Sequence, residues 1–409
     1  LIDETMDILS VSNENVDIAI FQDYFGMSGN YQFKPSNEET TYYATDELNS
    51  ADGQTLVDFV NWAKSQSNAT HTALIISDHG HALAGVAKDE TDSIDPKNPD
   101  LIFVKDELPQ ALAQSGPFDV IYMQACLMAN IELIYQIRGS ADFYVAHESI
   151  SWAPTDQSLY LKLISETTTP RELARSIAES YYSQWAFFPN TTEYWSSYPS
   201  TVSAIDMSYI EEVKVAVNNL ADSIMMVDIL TKIEIWNALT SSSSELQRFD
   251  DSPKNEDHMV VDPSDQLTDL YHLAEIVRNY DSGILAASDL LLETLDSFVI
   301  YNEHWNGSPV LYPGYVDYYN AKGVTIEFPD SAKSFYDGEW LEFAQGADWS
   351  FTTNPNETIL SRSEDFNWGS MISEMVRLFN PEGPDQPYPP ELVPLIDSRQ
   401  HLFLPLIIR

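Results

Sequence analysis

The first 150 residues alternate between two hydrophobic periods. Residues 16–21 (VDIAIF), 72–77 (TALIIS), 119–123 (DVIYM) and 142–146 are short, mostly apolar runs rich in β-branched side chains, which predict buried strands. Residues 55–64 (TLVDFVNWAK) instead place apolar side chains at 56, 57, 59, 60 and 63, the stripe of a helix with one buried face. Residues 106–114 and 129–137 also read as helices. Strands alternating with helices of this length predict βαβ units and a parallel sheet. The segment 88–100 (KDETDSIDPKNPD) is acidic and contains proline, the composition of a loop.

Farther along, residues 158–240 read as mainly helical, most clearly at 171–183 and 210–230. A Ser- and Asp-rich stretch, 241–268, reads as an exposed excursion. Helical patterns return at 267–279 and 288–301, and 323–328 (GVTIEF) reads as a strand. Six prolines fall within 381–394, a linker-like composition. The apolar tail 401–409 is much too short to span a bilayer. The pattern divides the chain into an α/β core (1–200), a mixed, mainly helical α/β extension packed on it (201–380), and a proline-rich linker with its tail (381–409).

Composition sharpens this picture. The 409 residues contain 64 Asp and Glu against 20 Lys and Arg, a formal net charge of −44. Nucleic acid and anionic membrane surfaces repel such a chain, so neither is an expected partner. Aromatic residues make up 12% of the sequence, enough to build a core and to exclude a disordered chain. No run of 18 apolar residues occurs, so no membrane insertion is expected. Residues 1–5 carry neither the basic nor the apolar stretch of a leader. The acidity, together with many Tyr, Trp and Asn, fits an extracytoplasmic protein, secreted or at the cell surface, while the single cysteine is compatible with either side; a monomer is expected.

Candidate chemistry collects just after the predicted strands. In open parallel sheets ligands bind beyond the carboxyl ends of the strands. Asp78, His79, Gln124, Cys126, His147 and Glu148 would therefore converge on one edge. Cys126 lies where a strand gives way to a helix, and a helix N-terminus would lower its thiol pKa. The competing reading is a buried, inert cysteine. His79, at a neighbouring strand end, would supply an acid/base partner for a nucleophilic Cys126. Gly80 has no side chain to keep its N–H from a substrate carbonyl oxygen, and with the N–H of Cys126 it could stabilise an oxyanion. His79 and His81 also form an H-x-H pair able to ligate a metal, although the other histidines add no companion spacing. The acidic loop offers Asp89, Glu90, Asp92, Asp95 and Asp100 as hard oxygen donors for Ca²⁺, without an EF-hand pattern.

These residues resemble the clostripain family of cysteine peptidases, in the clan of caspases, gingipains and legumain. The family's strand ending in Asp-His-Gly corresponds to Asp78-His79-Gly80, and its Ala-Cys-Leu-Met to Ala125-Cys126-Leu127-Met128. Flanking stretches agree, including Glu47-Leu48-Asn49, Ala146-His147-Glu148-Ser149, Thr268-Asp269-Leu270-Tyr271 and residues 321–329. The resemblance implies a caspase-like three-layer α/β sandwich, a mostly parallel sheet flanked by helices. It implies a secreted cysteine endopeptidase acting on peptides or proteins through an acyl-enzyme. Cys126 would be the nucleophile, His79 the proton donor, and Gly80 and Cys126 the oxyanion donors. No cofactor is required for that chemistry. Relatives can require Ca²⁺ and are often self-cleaved between the histidine and the cysteine, which makes Lys88 and Lys97 candidate cut points.

Three departures stand out. The family usually opens with a strand bearing a Tyr-Met-x-x-Asp-Asn segment, and this chain starts after that point. The Gly-Gly that often follows the histidine is Gly80-His81. Well-known members carry, two residues before the nucleophile, an Asp that helps select Arg or Lys; here Gln124 takes its place. A neutral amide attracts a buried cation far less than a carboxylate does. Gln124-Ala125-Cys126 resembles the start of the caspase motif instead, and His147, Glu148 and Asp156 are further candidates to line the substrate pocket. A non-catalytic surface or adhesion protein on the same fold is the alternative.

Overall fold

The computed structural model describes residues 8–24, 27–36, 38–89, 100–152, 155–186, 198–241, 243–249, 267–308, 315–328 and 367–379. Its main sheet has the strand order β11-β9-β8-β7-β4. Three of these are β4 (Ala73–Ser77), β7 (Phe118–Gln124) and β8 (Ala141–Ala146), and they pair in parallel. The other two are β9 (Ser200–Asp206) and β11 (Val299–Trp305), joined through antiparallel pairings. The sheet is mixed, and strands from both sides of position 200 complete it.

Alternation along β7 feeds two cores. Ile121 and Met123 join the larger core. It takes in Val60 of α1 (Gly53–Gln66), Leu108 and Leu112 of α2 (Glu107–Ser115), and residues of α6 (Ile210–Met226), α8 (Leu270–Val277) and α9 (Ser282–Phe298). Val120 and Tyr122 face the opposite side, where Ala174, Ile177, Ala178 and Tyr181 of α5 (Pro170–Ala186) cover them. Helices therefore flank the sheet on both faces.

Several expectations change. The run 16–21 is a strand, β1 (Ile18–Tyr24), but it pairs with β2 (Met27–Lys34) in a separate antiparallel sheet completed by β3 (Thr41–Ala44). Aromatic contacts hold that sheet to α1: the Tyr31 and Trp62 rings lie 4.9 Å apart. A local apolar run specifies a strand, not which sheet it joins. The segment 88–100 is not loop throughout. Its ends belong to β5 (Gly85–Asp89) and β6 (Asp100–Phe103), a hairpin, while 90–99, with Lys97, lie outside the described residues. Residues 299–301, expected as helix, begin β11, because α9 stops at Phe298. Strand β9 lies within a stretch expected to be helical. Its sequence STVSAID is buried along its whole length although three of its residues are Ser or Thr. Strand β10 (Leu267–Asp269) pairs with β12 (Thr325–Glu327). The Pro-rich stretch and the apolar tail lie outside the described residues.

Candidate active site

Parallel register sets the site. Ser77 of β4 pairs with Gln124 of β7, so His79 and Cys126 each stand two residues beyond matched positions on adjacent strands. Their backbones meet directly. A Cβ built on Gly80 would lie 2.3 Å from the Cys126 carbonyl oxygen and 2.9 Å from its nitrogen. Only glycine fits there, which gives Gly80 a steric necessity as well as a chemical one. The β5–β6 hairpin fixes the histidine segment: His79 O accepts from the Ala87 N–H at 3.1 Å, and the His81 N–H donates to Gly85 O at 2.9 Å. Asp78 Oδ1 accepts from the Lys88 N–H at 3.2 Å. The His79 side chain is exposed.

Cys126 is not at a helix N-terminus, contrary to the sequence expectation. Helix α3 (Ile131–Gln136) begins five residues later, and its N-cap is Asn130, whose Oδ1 accepts from the Leu133 N–H at 2.8 Å. Burial pushes the Cys126 thiol pKa up, against backbone hydrogen bonds at Ser151, Cys126 itself and Gly80 that pull it down. The resting sulfur is a thiol for that reason. It lies 3.9 Å from the Ser151 carbonyl oxygen. The next residue, Leu127, has φ 62°, a left-handed conformation that is costly for a branched side chain. Its N–H donates to Ser149 O at 3.0 Å, and the Ala129 N–H to His147 O at 2.9 Å. The turn after Cys126 is thereby tied to the end of β8.

His81 is half-buried, and its ring lies 6.4 Å from that of His79. Burial, then His79 and Lys88, lower its pKa, so it is neutral near pH 7. Among the described residues no group of three or more His, Cys, Asp or Glu side chains is placed to hold a metal ion. The Asp89 carboxylate, a candidate Ca²⁺ donor, accepts from the Ser50 N–H at 2.9 Å.

The four pocket candidates separate into two pairs. His147 and Glu148 turn into the protein. His147 Nδ1 lies 2.7 Å from Thr201 O and its Nε2 3.2 Å from the Tyr122 hydroxyl. Burial lowers its pKa to about 4, so it is a neutral structural imidazole. The Glu148 carboxyl accepts from the Gly323 N–H at 3.0 Å and pairs with buried Asp269. Burial, then the Asp269 charge, drive its pKa upward, so Glu148 keeps its proton and offers a pocket no charge. Gln124 and Asp156 lie on the α5 side of the sheet, which His147 also faces, its ring 4.4 Å from that of Tyr181. Gln124 Oε1 accepts from Gln157 Nε2 at 2.9 Å. Asp156 Oδ1 accepts from the Ser158 N–H at 2.9 Å.

The sequence profile of the clostripain family matches residues 2–365. The chain belongs to the clostripain family. No curated protein matches it. Among solved structures it is similar to a secreted C11 cysteine protease from Bacteroides thetaiotaomicron in complex with an irreversible peptide inhibitor. That likeness has a TM-score of 0.63 and 18% identity, over 85% of this chain and 94% of the other. An inactive zymogen C11 protease from Parabacteroides distasonis gives a TM-score of 0.57 and 16% identity, over 84% and 90%. At these identities the likeness establishes an α/β fold similar to that of the C11 proteases. Family membership supports a cysteine peptidase, with peptides or proteins as its substrates.

Sequence reasoning missed the residues that hold this clostripain-family site from behind. Thr201, Tyr181, Gln157 and Asp269 lie far from the motifs in sequence and form no local pattern. Of these only Asp269 had a signal, within the family-like segment Thr268–Tyr271, and nothing in that segment gave its role.

Proposed function

We propose that this clostripain-family protein is a secreted, caspase-like cysteine endopeptidase working through a Cys126–His79 dyad, with no cofactor in the chemical step. One observation carries the reading: the backbone of Gly80 abuts that of Cys126 at the matched ends of β4 and β7. This close approach supports a chemistry that uses both main-chain N–H groups together. Cys126 Sγ gives up its proton to His79 and attacks the scissile carbonyl carbon. The oxyanion accepts hydrogen bonds from the Gly80 and Cys126 N–H groups. His79 then protonates the leaving amine as the C–N bond breaks, and water hydrolyses the thioester. Because burial favours the thiol, the thiolate forms only as the proton passes to His79. Secretion is supported by the strongly acidic composition and by a structural neighbour described as secreted.

The test is a pair of variants. Cys126→Ala is expected to abolish peptide hydrolysis, and His79→Ala to reduce it at least about 100-fold, both with the melting temperature of the parent. Wild-type hydrolysis by Cys126→Ala sinks the mechanism. Absence of hydrolysis in the parent, with iodoacetamide alkylation of Cys126 no faster than that of a free thiol, would favour a non-catalytic surface protein.

A further inference from the structure

The stretch after β8, residues 147–152, gives its backbone groups to distant partners. His147 O and Ser149 O accept from the Ala129 and Leu127 N–H groups. The Glu148 and Ser149 N–H groups donate to the Thr201 hydroxyl at 2.9 and 3.2 Å. Ile150 O accepts from the Ser200 hydroxyl at 2.6 Å, and Trp152 O from that of Thr155 at 3.2 Å. Ser151 O instead faces Cys126 Sγ, at 3.9 Å. The other end of the same peptide unit, the Trp152 N–H, donates to the Tyr181 hydroxyl at 2.6 Å. One planar group therefore links the sulfur to α5.

Planarity makes that link directional. The C=O and N–H of a trans peptide point opposite ways, so an acceptor that holds the N–H also aims the carbonyl. Both flanks of the unit are fixed. Tyr181 is fully buried, with its ring against that of His147. Burial first, and Cys126 among the lesser causes, drive the Tyr181 pKa upward, so its hydroxyl stays protonated and lies near enough to feel the sulfur. The Trp152 indole N–H donates to Pro199 O at 2.9 Å.

We propose that Tyr181 is a positioning residue for Cys126: its hydroxyl locks the Ser151–Trp152 peptide so that the Ser151 carbonyl receives the resting S–H. Its bearing on hydrolysis rests on the peptidase reading. A sulfur tied to a fixed acceptor keeps one direction, which attack on a carbonyl carbon requires. Ser151 serves the ionised sulfur as well. A backbone hydrogen bond at Ser151 pulls the thiol pKa down, which is the effect of a donor to the thiolate. The carbonyl of Ser151 thus meets the thiol and its N–H the thiolate. The titratable groups around this contact are His79 and His81 on either side of Gly80, His147 after β8, Tyr122 of β7 and Tyr181 itself.

Cys126 is the only cysteine in the chain, so the full chain has a single S–H stretching band in the infrared. In the parent that band is expected to be narrow and lower in frequency than that of a thiol in an apolar solvent. Tyr181→Phe is expected to broaden it and move it toward the free value. Freed from Tyr181, Ser151 also holds the thiolate less well. The pH profile of iodoacetamide alkylation, followed by mass spectrometry, is therefore expected to move upward. Labelling at pH 7 would slow about tenfold, the factor for one unit of thiol pKa. Unfolding would expose the sulfur and speed labelling, the opposite sign. Tyr160→Phe removes another hydroxyl from the same apolar cluster, one that donates to Gln157 Oε1 at 3.2 Å. It is expected to lower the melting temperature and keep the parent band and profile. A parent band at the free-thiol position overturns the inference without any variant. So does a Tyr181→Phe band and profile matching the parent, or a band that moves equally in Tyr160→Phe. If the band and profile behave as expected but the parent hydrolyses no peptide, the positioning stands and the peptidase reading falls.

Discussion

The two halves of the main sheet do different work. The parallel half, β4, β7 and β8, ends in the residues proposed to carry the chemistry: His79, Gly80 and Cys126. The antiparallel half and the late strand β12 carry none of them, yet they hold the first half in place. Thr201 of β9 accepts from the Glu148 N–H at 2.9 Å through its hydroxyl and meets His147 through its carbonyl. The Thr325 N–H of β12 donates to Ala129 O at 2.8 Å, three residues past Cys126. The Glu327 N–H donates to Glu132 Oε1 at 2.9 Å. One half presents main-chain donors near the surface. The other supplies buried polar partners, among them Thr201, Ser203 and Thr325. The geometry around Cys126 is held by strands more than seventy residues farther along the chain.

Four variants separate the two contributions, from the largest expected effect to the smallest. Gly80→Ala strikes the chemical half. Its Cβ cannot stand 2.3 Å from the Cys126 carbonyl, so the two loops must part and the oxyanion donors with them. A loss of about 100- to 1,000-fold in kcat is expected, the cost of one missing oxyanion donor, read by steady-state hydrolysis of a peptide substrate. A fall of less than tenfold would show that this close approach does not serve the oxyanion.

Glu132→Gln strikes the bond that joins α3 to β12 of the supporting half and is read by pH. Burial pushes the Glu132 pKa up from 4.5 to about 8. A carboxyl raised in the folded state contributes its full stability below the unfolded value. That contribution is lost as pH rises toward the folded value, because the unfolded chain releases its proton first. Glu148 and Asp269 are raised as well and act in the same direction. The parent melting temperature is therefore expected to fall between pH 4.5 and 8, the Glu132 part amounting to at most about 5 kcal/mol. The variant keeps an acceptor for the Glu327 N–H and flattens the decline. Identical slopes in thermal melts across that range would exclude this account.

Asn130→Ala touches the junction of the halves. It removes the α3 cap and the bond from Asn130 Nδ2 to Leu127 O at 2.9 Å. A loss of about 1–2 kcal/mol is expected in urea denaturation, together with slower hydrolysis. Asp52→Ala removes the α1 cap, whose Oδ1 accepts from the Gln54 N–H at 2.7 Å, far from either half. About 1 kcal/mol of stability is expected to go, with kcat/KM unchanged. If activity follows stability alike in both, the junction has no special role.

The same division governed what could be read from the sequence. β4, β7 and β8 were legible because strands covered on both faces are apolar along their length, and their ends mark the site directly. β9 was not, because Ser200, Thr201 and Ser203 are buried by hydrogen bonding rather than by apolarity. Ser203 Oγ, for example, donates to Gly323 O at 2.6 Å. Residues 299–301 of β11 were read as helix because they directly follow a true helix. His147 and Glu148 lie at a strand end, as pocket residues should, but a strand end sends alternate side chains to opposite faces, and those two turned inward. The reactive environment of Cys126 was misread for a simpler reason. Sequence pattern marks where a helix is, not the four residues that separate Cys126 from it.

The left-handed turn at Leu127 bears on how this protein can drift. Leu127 packs with Ala82 and Leu267 in a small apolar knot that Cys126 and Phe249 adjoin. Ala82, on the histidine segment, also has positive φ, at 51°. Backbone geometry at both positions favours glycine, whereas the knot needs side-chain volume. A glycine would relax the turn and open a hole beneath the nucleophile; a larger residue would fill space but fight the torsion. Lineages descending from this sequence should therefore change positions 82, 127 and 267 together or leave all three alone.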